Sequence, residues 1–184
     1  VLAIMLSNSP IWSFRDVQSP SSISISLDGK FAGIGSKSGV SLVNPNGRIV
    51  WKNNQVRRVN DLSISTRTGK LSVASGQKVL FLLNKKGEGI WHRELQGSAI
   101  STSISSNGNI IAVGTDNGHL IVFNGKGKML WEEHLSNSDF PVNALSVSSD
   151  GQFILCGTDY SRIYLYDKNG DILWSKETTG EVVK

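Results

Sequence analysis

The residues able to do chemistry in this 184-residue chain are few and scattered. Histidines stand at His92, His119 and His134, read as members of different repeats, and none has the close His/Cys spacing of a metal site. The single cysteine, Cys156, closes the run Phe153-Ile154-Leu155 and is expected as a small core residue. One cysteine excludes an internal disulfide and a cysteine-based zinc site. No Asp-x-Asp-x-Asp calcium loop occurs. Gly33-Ile34-Gly35 has no helical pattern behind it, so it is not a phosphate loop. A Ser/His/Asp site assembles in space and spacing alone does not test it. The abundant serines, however, are accounted for by alternation with branched residues. The sequence therefore predicts no catalytic residue, no metal ligand and no cofactor.

Tryptophan is the remaining residue type with a strong binding surface, and here its spacing decides. Asn44-Pro45-Asn46-Gly47 leads to Trp51, Asn84-Lys85-Lys86-Gly87 to Trp91, Asn124-Gly125-Lys126-Gly127 to Trp131, and Asp167-Lys168-Asn169-Gly170 to Trp174. Trp12 precedes Trp51 by a similar interval. A period near 40 residues signals repeated structural units. A tryptophan at a fixed place in each unit is expected to pack between units, not to form a ligand cage. Its burial removes about 150–250 Å² from water, a large packing contribution. Trp51, Trp91, Trp131 and Trp174, with Gly47, Gly87, Gly127 and Gly170, are assigned structural roles.

Each unit divides into four short strands, A to D. Strand A alternates small polar and branched residues, as in Ser22-Ile23-Ser24-Ile25, which places them on opposite faces. Asp28-Gly29, Thr68-Gly69, Asn107-Gly108 and Asp150-Gly151 follow as hairpin turns. Strand B is expected to end in Gly35, Gly76, Gly114 and Gly157. Strand C runs into the Asn/Asp-x-x-Gly turn, and strand D carries the tryptophan. No helical periodicity appears. Antiparallel strands in fours, tandemly repeated, describe an all-β chain of β-propeller blades, each too exposed to stand without a neighbour. The predicted blades are 20–55, 59–95, 99–136 and 142–178. Residues 1–14 read as the last two strands of a preceding blade, and 181–184 as the start of another. The chain is thus expected to be a segment of a larger propeller, or one completed by a second chain.

The order of alternating strand, Asp-Gly, Cys-x-Gly strand and terminal Tyr-Asp, clearest over 142–167, resembles WD-repeat blades. The Asp-x-x-Gly-x-x-x-Trp phrase is similar to the tryptophan-docking motif of pyrroloquinoline-quinone-like repeats. The resemblance spans nearly the whole chain. Gly118-His119 falls between strands B and C, not before strand A as in WD repeats. Strand C ends in Tyr-Asp once and never in Trp-Asp. The Asp-to-Trp interval is one residue shorter than the quinone motif, and the adjacent cysteines of quinoprotein dehydrogenases are absent. The resemblance therefore implies a propeller fold and a binding role, without quinone chemistry.

Composition adds a charge asymmetry. Residues 1–100 hold 13 basic and 5 acidic side chains, and residues 101–184 hold 6 and 10. Such a split can orient partners, including a second copy head to tail. Arg57-Arg58 and Lys85-Lys86 fall in different loop classes, with no basic strip interleaved by aromatics, so nucleic acid is not expected. No apolar run is long enough to span a membrane as a helix. Binding is expected where loops vary on a rigid frame. In propellers the D–A loops and B–C turns share one face, which here would carry Lys37, Arg57, Arg58, Asp116, Asp139, Phe140, Asp159 and Tyr160. The 136–141 loop holds the extra residues that lengthen the last period. The expected function is a non-catalytic scaffold binding a protein or ligand through that face, in an extracytoplasmic or membrane-anchored setting. Part of a quinoprotein-like enzyme, or a surface or adhesion module, are the alternatives.

Overall fold

The computed structural model describes residue 17, residues 19–135, residues 140–180 and residue 182. Among them lie sixteen strands and no helix. The strands are β1 (Pro20–Ile25), β2 (Ala32–Ser36), β3 (Gly39–Val43), β4 (Ile49–Asn53), β5 (Val59–Ile64), β6 (Leu71–Ser75), β7 (Val79–Leu83) and β8 (Gly89–Glu94). The second half contains β9 (Ala99–Ile104), β10 (Ile110–Thr115), β11 (His119–Asn124), β12 (Met129–His134), β13 (Ala144–Val147), β14 (Phe153–Thr158), β15 (Arg162–Asp167) and β16 (Ile172–Glu177). They make four antiparallel sheets, each of four strands in chain order, as propeller blades are built. The described blades do not close into a ring. The half-blade expected at 1–14, with Trp12, lies outside the described residues, as do Glu181, Val183 and Lys184.

Two polar turns repeat in every blade. The A–B hairpin closes on a serine. Ser26, Ser105 and Ser148 accept the N–H of Phe31, Ile110 and Phe153 on their hydroxyl oxygens, each at 3.0 Å. The same hydroxyls donate to Asp28, Asn107 and Asp150 at 2.7, 2.8 and 2.6 Å. The second blade has a hairpin of the same length with its glycine one position later, and Thr68 instead donates to Ser65 at 2.8 Å. At the C–D turn the side-chain oxygens of Asn44, Asn84, Asn124 and Asp167 each accept two backbone N–H groups, two and four residues on, at 2.8–3.1 Å. Gly47, Gly87, Gly127 and Gly170 complete these turns at φ 72°, 83°, 79° and 95°, where a side chain is disfavoured.

The cores lie between blades. Leu42, Leu62, Ile64 and Val73 fill the first junction, Leu80, Leu82, Ile111 and Phe123 the second, and Val122, Ile154, Cys156 and Tyr166 the third. Cys156 is the expected small core residue, and burial pushes its thiol up to about 12. Close approach is secured where strand B crosses the next strand A. Gly35 faces Val59, Gly114 faces Val142 and Gly157 faces Val182, with no room for a Cβ. In the second blade this station is Ala74, in the same cluster as Ala99. The expected Gly76 is instead past the end of β6, because β6 ends at Ser75. The larger strand B residue is met by a smaller strand A partner, Ala99 in place of valine.

Each described tryptophan but the last leans on the following blade's C–D turn. A Cβ on Gly87 would stand 2.6 Å from the Trp51 ring, on Gly127 2.9 Å from Trp91, and on Gly170 3.1 Å from Trp131. The indole N–H groups donate to the carbonyls of Lys85, Gly125 and Lys168 at 2.9, 3.2 and 3.0 Å. Trp174, on β16, is 38% exposed.

Gly87→Ala combines left-handed backbone with an occupied site, so it should cost about 2–4 kcal/mol in urea unfolding. Gly29→Ala, at φ 66° with nothing within 4 Å, should cost only the backbone part, about 1–2 kcal/mol. Equal losses would show that the tryptophan contact is not tight. The backbone N–H groups of Asp171 and Asn169 hold the Asp167 carboxyl below its ordinary range. A depressed folded-state value means stability present above the unfolded value and lost as pH falls through the folded one. Asp167→Asn, which copies the other three blades, should flatten the fall of Tm below about pH 4 and leave Tm near pH 7 almost unchanged. Thermal unfolding between pH 2 and 7 measures both.

Candidate functional site

The inner strands supply one wall of a common channel. β1, β5 and β9, with the residues leading into β13, surround a cavity of about 510 Å³ that includes Ser22, Asn60, Asp61, Ile100 and Asn143. Neighbouring inner strands are too far apart for a backbone ladder, and side-chain oxygens bridge them. Leu62 N–H donates to the Ser22 hydroxyl at 3.1 Å, Ile64 N–H to Ser24 at 3.3 Å, and Val147 N–H to Ser103 at 2.9 Å. Asp61, only 3% exposed, spans three blades. Its carboxylate accepts the Ser22 hydroxyl and the Thr102 N–H, both at 2.9 Å. Sequence reasoning missed it. The available signal was a carboxylate where the matching residues, Ser22 and Ser101, are serines.

The D–A loops and B–C turns meet at one end of every junction through backbone hydrogen bonds. Arg58 donates to Lys37 at 3.0 Å, Leu95 to Lys78 at 2.8 Å, Leu135 to Gly118 at 3.0 Å and Asp159 to Pro141 at 3.3 Å. The sequence-predicted binding residues therefore do share an end, but they do not form one site. Phe140 and Tyr160 stack at 5.0 Å with 27° between their rings, and Tyr160 is 58% exposed. Asp159, beside them, accepts the Asn143 amide N–H. The carbonyl oxygen of that amide is buried without a hydrogen-bond partner among the described residues. Asn143 thus joins the aromatic pair to the channel wall. Lys37 and Arg57 line a separate groove. Arg58 takes left-handed backbone, φ 51°, and its carbonyl receives the Gly76 N–H at 2.8 Å. Asp116 turns inward to accept the Ser98 N–H at 2.8 Å, which makes it part of the loop frame. Asp139 lies outside the described residues.

The histidines require a correction. His119 and His134 belong to one blade, as directly paired residues of β11 and β12. Their rings stack at 4.6 Å, and His119 Nδ1 lies 2.7 Å from Glu132 Oε1, a close contact without hydrogen-bond alignment. The hairpin brings together residues fifteen apart that sequence spacing kept separate. No group of three or more His, Cys, Asp or Glu able to hold a metal occurs among the described residues. No helix among them is long and apolar enough to cross a membrane.

A family model for PQQ_2, described as outer membrane protein assembly factor BamB, matches residues 36–184. No curated protein matches the chain.

Asp61→Leu should strand a donor on each flanking blade and destabilise by about 2–5 kcal/mol. Asp61→Ser, which copies the neighbouring blades, should cost less than half of that. Urea unfolding followed by tryptophan fluorescence decides; equal costs would mean that the carboxylate is not the bridge.

Proposed function

We propose a function from one premise: the chain belongs to the PQQ_2 family, described as outer membrane protein assembly factor BamB. It acts as a non-catalytic propeller scaffold that holds a protein partner during outer membrane protein assembly. The contact is made at the end where D–A loops and B–C turns meet. One observation carries this reading, the stack of Phe140, on the loop that lengthens the last repeat, with Tyr160 on the turn between β14 and β15. Two stacked rings lose little conformational freedom on binding, and exposed aromatics are the usual anchors of protein interfaces. Asp159 adds negative charge beside them and favours a partner with a basic rim.

The same scaffold role assigns an occupant to the outer face of the first blade. Ile23, Ile25 and Leu27 are 77%, 65% and 82% exposed, while Ile64 and Ile104, which match Ile25, are each 6% exposed beneath a neighbouring sheet. A further blade, from the same propeller or from a second copy, covers them. The basic first half and acidic second half favour a head-to-tail arrangement.

The test is a photo-crosslinking residue substituted at Tyr160 in the native cells, with Lys86 on the opposite turns as control. A discrete adduct containing an outer membrane assembly protein is expected at 160 and not at 86. Phe140→Ala with Tyr160→Ala should reduce co-purification of that protein at least about tenfold, the loss of one anchor pair. Equal crosslinking at both positions, or unchanged co-purification, would overturn the proposal.

A further inference from the structure

The A–B hairpins of neighbouring blades meet at the second and third junctions and part at the first. Arg67 N–H donates to the Ser106 carbonyl at 2.9 Å, and Ser106 N–H to the Ser149 carbonyl at 3.0 Å. No hydrogen bond among the described residues joins the 26–31 hairpin to the 65–70 hairpin. The residue leading into strand B shows the same break. Phe31, Lys70 and Ile110 are equivalent, since the carbonyl of each accepts the N–H of its hairpin serine at 2.8–2.9 Å. Ile110 fills the space over Gly151, where a Cβ would stand 2.9 Å from its Cγ1, and Lys70 fills that over Gly108 at 3.0 Å. A Cβ on Gly69 would meet only Lys85, of its own blade, at 3.3 Å. Phe31 does not reach it and stays 40% exposed. The hairpin facing Phe31 is the one whose glycine stands a position later, so its positive-φ bend falls at a different place.

The parted hairpins open a cleft of about 290 Å³ between two described blades. Phe31, Leu42 and Val50 line it from the first blade and Ile64 from the second, and Leu42 and Ile64 belong to the buried core of that junction. Arg67 and Lys85 border it from two turns of the second blade. Among the described residues both make hydrogen bonds through backbone atoms only, so their side-chain charges are uncommitted. Asp28 is the one carboxylate among the described lining residues, and it is already matched. The Ser26 hydroxyl and the Lys30 N–H donate to one of its oxygens at 2.7 and 3.1 Å, and the Lys30 ammonium lies 3.4 Å from the other. Blade packing does not require this cleft, because the other two junctions close it. Hydrocarbon walls beside uncommitted cations suit a ligand with an apolar body and an anionic end. At about 30 Å³ per water-sized group, the space takes about ten non-hydrogen atoms.

We infer that the cleft between the first two blades binds a small amphiphilic carboxylate. The hydrocarbon body lies against Phe31 and Val50, over Leu42 and Ile64, and the carboxylate meets Arg67 and Lys85. A guanidinium offers a carboxylate two parallel donors, and an ammonium adds a mobile point charge. The cleft lies at the opposite end of the blades from the Phe140–Tyr160 stack and does not require the protein-partner reading.

Calorimetric titration of the whole chain with octanoate tests it. Saturable binding to one site is expected, at least about tenfold tighter than that of octanamide, which keeps the hydrocarbon and loses the charge. Acetate, which keeps the charge and loses the hydrocarbon, should not bind measurably. Arg67→Ala with Lys85→Ala should weaken octanoate at least about tenfold, because two charge-assisted donors are lost. Val50→Trp, at an exposed strand position where a large ring is accepted, should fill the cleft and abolish binding while leaving Tm equal or higher. Lys126→Ala with Lys128→Ala, on the C–D turn of the third blade, should leave affinity within about twofold, because those charges border another junction and are screened. No saturable octanoate binding, equal affinity for octanoate and octanamide, full binding by Val50→Trp, or equal weakening in the Lys126/Lys128 variant would overturn the site. Crosslinking through position 160 is unaffected by any of these outcomes, so the two proposals fail separately.

Discussion

A four-stranded sheet with apolar residues on both faces has no inside. Every other feature of this chain follows from the need for one blade to be the core of the next. The apolar clusters lie at the three junctions, and the closest approach occurs where strand B meets the following strand A. Gly35 with Val59 and Gly114 with Val142 divide that space unequally, while Ala74 with Ala99 divide it evenly. What the junctions share is a residue no larger than alanine on strand B at the crossing, which is what close packing there requires.

The inner strands meet a second constraint, because their backbones need partners where adjacent sheets splay around the channel. Short polar side chains answer it. Ser22, Ser24 and Ser103 accept N–H groups from the next blade, and Asp61 does so while also receiving a hydroxyl. Such oxygens reach across without bulk, which explains why strand A alternates serine with branched residues. The channel wall is thereby tied laterally, and the loop end is mounted on a frame with little freedom to shear.

This division explains which parts of the molecule were legible in the sequence. Strand order and the turn glycines follow from local chemistry, since a positive-φ turn and a period-two strand are written in adjacent residues. The tryptophan contacts were legible because they recur. What recurs without a fixed residue type was not: Gly76 looked like the small residue of the second blade, while Ala74 holds the place opposite Ala99. Partners fixed by hairpin register were also missed. His119 and His134 stand fifteen residues apart yet face each other across β11 and β12. Of the binding residues, the shared end of the loops was legible from topology. The separation into an aromatic pair and a basic groove was not, because it depends on which side of a turn each side chain leaves.

The two ends of the blades differ in how free they are to diverge. Each C–D turn from the second blade onward carries an indole from the blade before, with its glycine against the ring and a carbonyl accepting the indole N–H. A longer loop or a larger residue there would unseat the tryptophan. The D–A loops and B–C turns are joined to each other in every blade by a backbone hydrogen bond. Only some of their side chains, such as Asp116 and Asn143, take part in the junction. Hence the Phe140–Tyr160 stack and the basic side chains of Lys37 and Arg57 collect at this end. In a repeat protein the neighbouring copies act as an internal control: a departure that the shared packing does not require is the place to look for function.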